Sequence, residues 1–298
     1  MMNRILLFVI GVTVLAGCEF YEQDEYREYY VVEAYLVAYD PLPDIILSKT
    51  VPIEEEYVYS DASVNDASVE VRLLNADSTI NERYTYGSGG EGLYYPTESA
   101  AVQEKQLYQL YVTLPGGDSI EAKTYVPGDF ETVNRQELPD QYRYRGDKQI
   151  EITTTRSEYH TGRQAYYVFT VNAEKPDSTN LTPFYADLVG EQERSLQNYS
   201  VHSSGIINEG NYSPTPEGNI TLKVPWLSIA FYGHNEVVTN AIDDNMYDFL
   251  RSQETQTGGF SLSPGEIQNI RYNINGGIGI FGSMARDKNR FEVLRPPR

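Results

Sequence analysis

Residues 107–126 read LYQLYVTLPGGDSIEAKTYV. Tyr108, Leu110, Val112 and Leu114 fall on one face of the first half. Ile120, Ala122, Thr124 and Val126 fall on one face of the second. Strict alternation marks a half-buried strand, and Pro115-Gly116-Gly117-Asp118 between the halves marks a tight turn. The stretch is a β-hairpin with one face in a core.

The same period recurs on either side. In Tyr30–Tyr39, Val32, Ala34, Leu36 and Ala38 share a face; in Ser68–Leu74, Val69, Val71 and Leu73 do. The chain has 26 tyrosines, and Tyr, Val, Ile and Thr all favour strands. Further strands are expected at 149–155, 164–173, 220–224, 227–232, 235–241, 268–274 and 290–294. A loop is expected at 138–148, a hairpin tip or loop at the glycine cluster Gly87–Gly92, and a turn at Gly258-Gly259. Residues 174–219 carry no clear period. One helix is expected, capped by Asp243 or Asp244 and running to about Ser252, with Met246, Phe249 and Leu250 on one face. The expected fold is all-β, with about a tenth helix or less. An N-terminal β-sandwich of immunoglobulin or transthyretin kind covers 29–127, and a second β-rich domain with one short helix covers 128–298. The division falls at Pro127-Gly128-Asp129.

The N-terminus has another character. Arg4 is the only charge before Cys18, and Ile5–Ala16 is apolar apart from Gly11 and Thr13. A short basic start and a short apolar run form a secretory signal, too short for a span of about 20 residues. Leu15-Ala16-Gly17-Cys18 resembles the bacterial lipobox, which implies cleavage after residue 17 and acylation of Cys18, the only cysteine. The thiol is then neither nucleophile nor disulfide partner. Acidic residues 18–28 read as a tether to the body.

The formal net charge is −20, and removing residues 1–17 makes it one unit more negative. Phosphate affinity depends on Lys and Arg, so this balance argues against nucleic-acid binding. Chemistry-bearing patterns are sparse. His160, His202 and His234 lie far apart, and the zinc motif H-E-x-x-H is absent. Neither G-x-S-x-G nor S-x-x-K occurs. Gly277-Ile-Gly279-Ile-Phe-Gly282 spells G-x-G-x-x-G, but a dinucleotide site needs a helix, a second strand and an acidic residue about 20 positions later. The 16 residues that follow cannot supply them. The glycines therefore serve close strand approach, with Ile278, Ile280 and Phe281 filling the core. No metal or cofactor is expected. Tyr94, Tyr95, Tyr142 and Tyr144, in loop-like contexts, are the candidates for partner contact, since tyrosine offers large contact area at low entropic cost.

Four stretches together resemble a family of Bacteroidota lipoproteins known as domain of unknown function 4249. They are the lipobox with Val31–Leu36 after it, the return strand Ile46–Pro52, the turn Val64–Val69, and the ending Tyr247–Leu250 followed by Asn273–Gly282. The family defines no catalytic residues. Its members are often encoded beside TonB-dependent outer-membrane receptors, which implies a role in surface uptake. The expectation is a lipid-anchored, non-enzymatic outer-membrane protein that partners such a receptor, held to the bilayer through Cys18 and exposed on the cell surface. The alternatives are a surface hydrolase with an unrecognised carboxylate pair and a structural or adhesive envelope lipoprotein.

Overall fold

The computed structural model describes residues 26–160, 162–192, 195–256 and 269–296. Cys18, the signal segment, most of the tether and the Gly258-Gly259 turn lie outside them. Strands hold 43% of the chain and helices 15%, so the protein is all-β, as its alternation predicts.

The strands follow in chain order. β1 (Tyr30–Val37), β2 (Ile45–Lys49), β3 (Ser68–Leu74), β4 (Ile80–Gly90), β5 (Leu93–Pro96), β6 (Leu107–Thr113) and β7 (Ser119–Tyr125) precede residue 127. β8 (Gln141–Arg143), β9 (Ile150–Thr154), β10 (Tyr166–Ala173), β11 (Val201–Ser203), β12 (Ile207–Asn208), β13 (Ile220–Val224), β14 (Gly233–Ile242) and β15 (Ile278–Leu294) follow it. Among the described residues three α-helices are interspersed: α1 (Tyr59–Ala62), α2 (Pro183–Gln192) and α3 (Asp244–Gln256).

One sheet carries thirteen strands. Its path is β11-β10-β14-β15-β1-β2-β5-β4-β3-β6-β7, with β12 on β10 and β8 on β15; β13 and β9 pair separately. The sheet is continuous across residue 127. β1 pairs with β2 on one side and runs parallel to β15 on the other, Val31 opposite Ile278 through Val37 opposite Met284. From Met284 to Val293 β15 pairs antiparallel with β14. At the far end the sheet curls back: Glu121 and Asn275 exchange backbone hydrogen bonds of 3.0 and 2.8 Å, bringing β7 against the approach to β15.

Alternation builds the main core. Val32, Leu36, Val71, Leu110, Val112 and Ile120 are fully buried, each worth about 1.5–3 kcal/mol relative to exposure. A second core lies after residue 127, around Ile150, Ile152, Val224, Val237 and Phe291.

Several elements differ from expectation. Residues 227–232 form no strand: a 3-10 turn at Trp226–Ser228 leads into a run buried without alternation, Ile229 and Tyr232 serving one core and Ala230 and Phe231 another. Residues 269–274 also stay irregular. There the Asn273 side chain takes a strand's place, donating to Phe281 O (2.7 Å) and accepting from Phe281 N (3.0 Å). The last strand begins at Ile278, far before 290. The expected loop 138–148 contains β8. Helix α2 is unexpected, and the helical share is 15% rather than about a tenth. The tether's last residues are clipped to the body: Tyr26 Oη lies 2.9 Å from Thr50 Oγ1, and Glu28 pairs with Lys49 at 2.9 Å.

Candidate functional site

The period of β1 creates the site. With Val32, Ala34 and Leu36 inward, Val31, Glu33 and Tyr35 point to the opposite face. Parallel pairing sets Ile278 and Ile280 of β15 beside Val31 and Glu33. Helix α3 crosses this outer face. Asp243 caps it by accepting from Met246 N at 2.8 Å, which satisfies one of the free amides of the first turn. Met246, at the base of the helix, packs with Ile280 beneath it.

Between the sheet face, α3 and the returning chain runs a groove of about 450 Å³. Its floor is Val31, Glu33, Tyr35, Ile278 and Ile280. Phe249, Leu250 and Gln253 of α3 form one wall, and Ile270 and Tyr272 the other. Tyr272 is 42% exposed. Burial, then the charge of Glu33 beside it, push the Tyr35 phenol well above its ordinary pKa, so it is a neutral hydrogen-bonding group at physiological pH. The phenol of Tyr59 in α1 is also raised, by burial first and then by Tyr57, Glu91 and Glu33. An apolar trough with a few polar groups at its floor suits an elongated, partly apolar ligand or peptide segment.

Beneath α3 lies a polar junction. Asp243 is fully buried, and its carboxylate accepts from Thr124 Oγ1 at 2.6 Å. Thr124 Oγ1 is also 2.7 Å from Ser283 Oγ, which donates to Tyr125 O at 3.0 Å. Burial pushes the Asp243 carboxyl up to about 6, against the lowering effect of these hydrogen bonds. With no exposed surface the carboxylate meets no substrate. It ties β7, β15 and α3 together.

A second cluster flanks the start of α3. Arg163 lies over Tyr159 at 3.9 Å and Tyr166 at 4.7 Å and pairs with Asp244 at 2.5 Å. His160 stacks on Tyr159 at 4.6 Å and meets Tyr125 edge-on at 4.3 Å. His202 is near Tyr185 instead, and His234 is on β14, so the histidines stay apart. Among the described residues no three His, Cys, Asp or Glu side chains are grouped to hold a metal ion.

The tyrosines singled out from sequence are placed otherwise than expected, and three of the four are corrected. Tyr94 is fully buried; its hydroxyl donates to Val64 O and accepts from Ala67 N, both at 3.0 Å. Tyr142 and Tyr144 are buried in the second core, because β8 runs parallel to the end of β15. Tyr142 meets Phe291 at 5.6 Å and Tyr144 meets Tyr232 at 5.5 Å. Only Tyr95 is exposed. None of the four lines the groove. The glycine motif begins one residue before β15, and from Ile278 to Gly282 its backbone belongs to the sheet. Ile280 and Phe281 are buried and Ile278 is half-buried. Of the groove residues, Phe249 and Leu250 were visible as one face of a helix. Tyr272 carried no local signal, since its role comes from the returning chain.

Among the described residues no helix is long and apolar enough to cross a membrane. No curated protein matches the chain. Among solved structures, trypsin-activated α2-macroglobulin of Escherichia coli aligns with 90% of this chain at 7% identity and a TM-score of 0.25. The alignment covers 16% of that chain, so this protein spans about a sixth of its length. A tetra-tandem repeat from a large adhesion protein aligns with 88% of this chain and 49% of its own, at 8% identity and a TM-score of 0.21. Three N-terminal domains of the outer capsid protein Hoc of bacteriophage RB49 align with 91% and 71%, at 8% identity and 0.21. The family described as Domain of unknown function (DUF4249) matches residues 19–290, and the chain belongs to it.

Proposed function

We propose that this protein is a lipid-anchored binding protein of the bacterial outer membrane, acylated at Cys18, that serves as an accessory to a TonB-dependent receptor. The observation that carries the binding role is the groove between β1, β15 and α3, walled by Phe249, Leu250 and Tyr272. It offers an apolar trough with a neutral phenol and a carboxylate at its floor, and the reading includes no catalytic step. The anchor is supported by the only cysteine standing at the end of the apolar leader, directly before the family match begins. A tethered partner is met at high effective concentration, so even a weak groove contact suffices.

The test is extraction of native membranes in mild detergent, with the full-length protein recovered by affinity tag. A β-barrel receptor should co-purify, and Tyr272→Ser with Phe249→Ser should reduce its recovery while circular dichroism is unchanged. Cys18→Ala should release the protein from the membrane fraction and abolish labelling by a fatty-acid probe. Equal labelling of Cys18→Ala would sink the anchor. A correctly anchored protein that recovers no barrel would sink the receptor role.

A further inference from the structure

The fourteen exposed large apolar side chains among the described residues are not spread evenly. Tyr26, Tyr29, Ile53, Tyr57, Val58 and Tyr59 lie in two short segments, 26–29 and 53–59. The first segment is fastened to Thr50, at the root of the loop that carries the second. Tyr26 Oη lies 2.9 Å from Thr50 Oγ1, Tyr29 N donates to the same oxygen at 3.0 Å, and Thr50 N donates to Tyr29 O at 2.9 Å. Tyr26 and Val58 line one concavity on this face. Ile53, at the tip, is 88% exposed.

The position of this patch on the chain gives it an occupant. Eight residues separate Cys18 from Tyr26, a covalent reach of at most about 29 Å. With Cys18 acylated, Tyr26 cannot leave the neighbourhood of the bilayer surface, and the fastened loop 51–59 stays with it. Tyrosine rings settle at membrane–water interfaces, where an apolar body and a polar tip are both accommodated. Glu54, Glu55 and Glu56 are exposed beside Ile53. Three carboxylates there oppose anionic lipid and keep the loop in the headgroup layer.

We infer that the Tyr26–Tyr29 and Ile53–Tyr59 surface rests on the zwitterionic headgroup layer of the bilayer that holds the anchor. The inference rests on the lipid-anchor reading above. It fixes how the body stands: β1, whose Val31 and Glu33 form the groove floor, begins at Tyr30, directly after the contact residue Tyr29. The groove is thereby held near the membrane plane, within reach of a membrane-embedded partner.

The chain has one tryptophan, Trp226, in the C-terminal core, which makes the test direct. Full-length acylated protein is placed in phosphatidylcholine nanodiscs whose acyl chains are brominated near the headgroup. In an Ile53→Trp, Trp226→Phe variant, bromine should cut emission about twofold, as for an interfacial ring, while wild-type Trp226 emission is unchanged. Mixing in phosphatidylglycerol should weaken the quenching. Migration with the discs without quenching at position 53 overturns the docking alone. Failure to migrate with the discs overturns the anchor and the docking together. Equal quenching with phosphatidylglycerol present overturns the headgroup preference.

Discussion

Gly279 of β15 sits opposite Val32 of β1, and a Cβ placed on Gly279 would stand 2.0 Å from the Val32 carbonyl oxygen. Its φ of +109° adds a conformation that L side chains rarely adopt. Gly279→Ala should therefore lower stability by about 3 kcal/mol or more, from backbone strain plus displacement of a central strand. Gly116→Ala, with nothing within 4 Å of the added carbon, should stay within about 0.5 kcal/mol. Urea unfolding compares the two. Equal midpoints would show that β1 and β15 are not this close.

Asp243 gives a pH signature. Its folded carboxyl titrates at about 6 against an ordinary 3.8, so the folded state binds the proton more tightly than the unfolded chain. This group's contribution is greatest below pH 3.8, falls as pH rises through 6, and is constant above. The loss is about 3 kcal/mol. Asp243→Asn keeps a capping oxygen and removes the titration. The stability difference, variant minus wild type, should grow by about that amount between pH 4 and pH 7. Parallel stability curves for the two proteins would refute the buried carboxylate.

Tyr94 and Tyr95 should behave oppositely despite being adjacent. Tyr94→Phe leaves Val64 O and Ala67 N without their partner and should cost about 1–3 kcal/mol. Tyr95→Ser, at a residue 43% exposed, should cost about 0.5 kcal/mol or less. Thermal melts of the two variants read the contrast directly.

Tyr144→Ser should cost about 3 kcal/mol or more, as a large core ring lost beside Tyr232 and Trp226. A loss of partner binding on changing Tyr144 would thus report unfolding, which loss of the near-ultraviolet dichroism would reveal. Tyr144→Phe should preserve fold and binding, since the Tyr144 hydroxyl has no hydrogen-bond partner among the described residues.

The local pattern makes β1, β3, β6 and β7 readable, because each has one face in a core and the other less buried. It also located α3 and its cap, where Asp243 precedes an apolar face. What failed to show was decided by distant partners. Tyr142 reads as loop because its neighbours are polar, yet the end of β15 pairs with β8 and buries it. Its spacing of two from Tyr144 was the available signal for a strand. The start of β15 is obscured by its glycines, and its middle by the charged run Arg286–Arg290, in which Lys288 and Arg290 are exposed while the backbone pairs with β14. The groove shares that origin: Val31 and Ile278 are neighbours only through a pairing that spans most of the sequence.

That pairing sets a timetable for synthesis. About 240 residues follow β1 before Ile278 is made, which at ribosomal rates of about 5–20 residues per second takes on the order of 10–50 s. Through that interval the β15-facing edge of β1 is an open row of amides and carbonyls, able to recruit any passing strand. A nascent chain of this design needs its edge shielded until the final segment arrives, and a message truncated before Ile278 yields a product whose defect is adhesion to other chains as much as loss of fold.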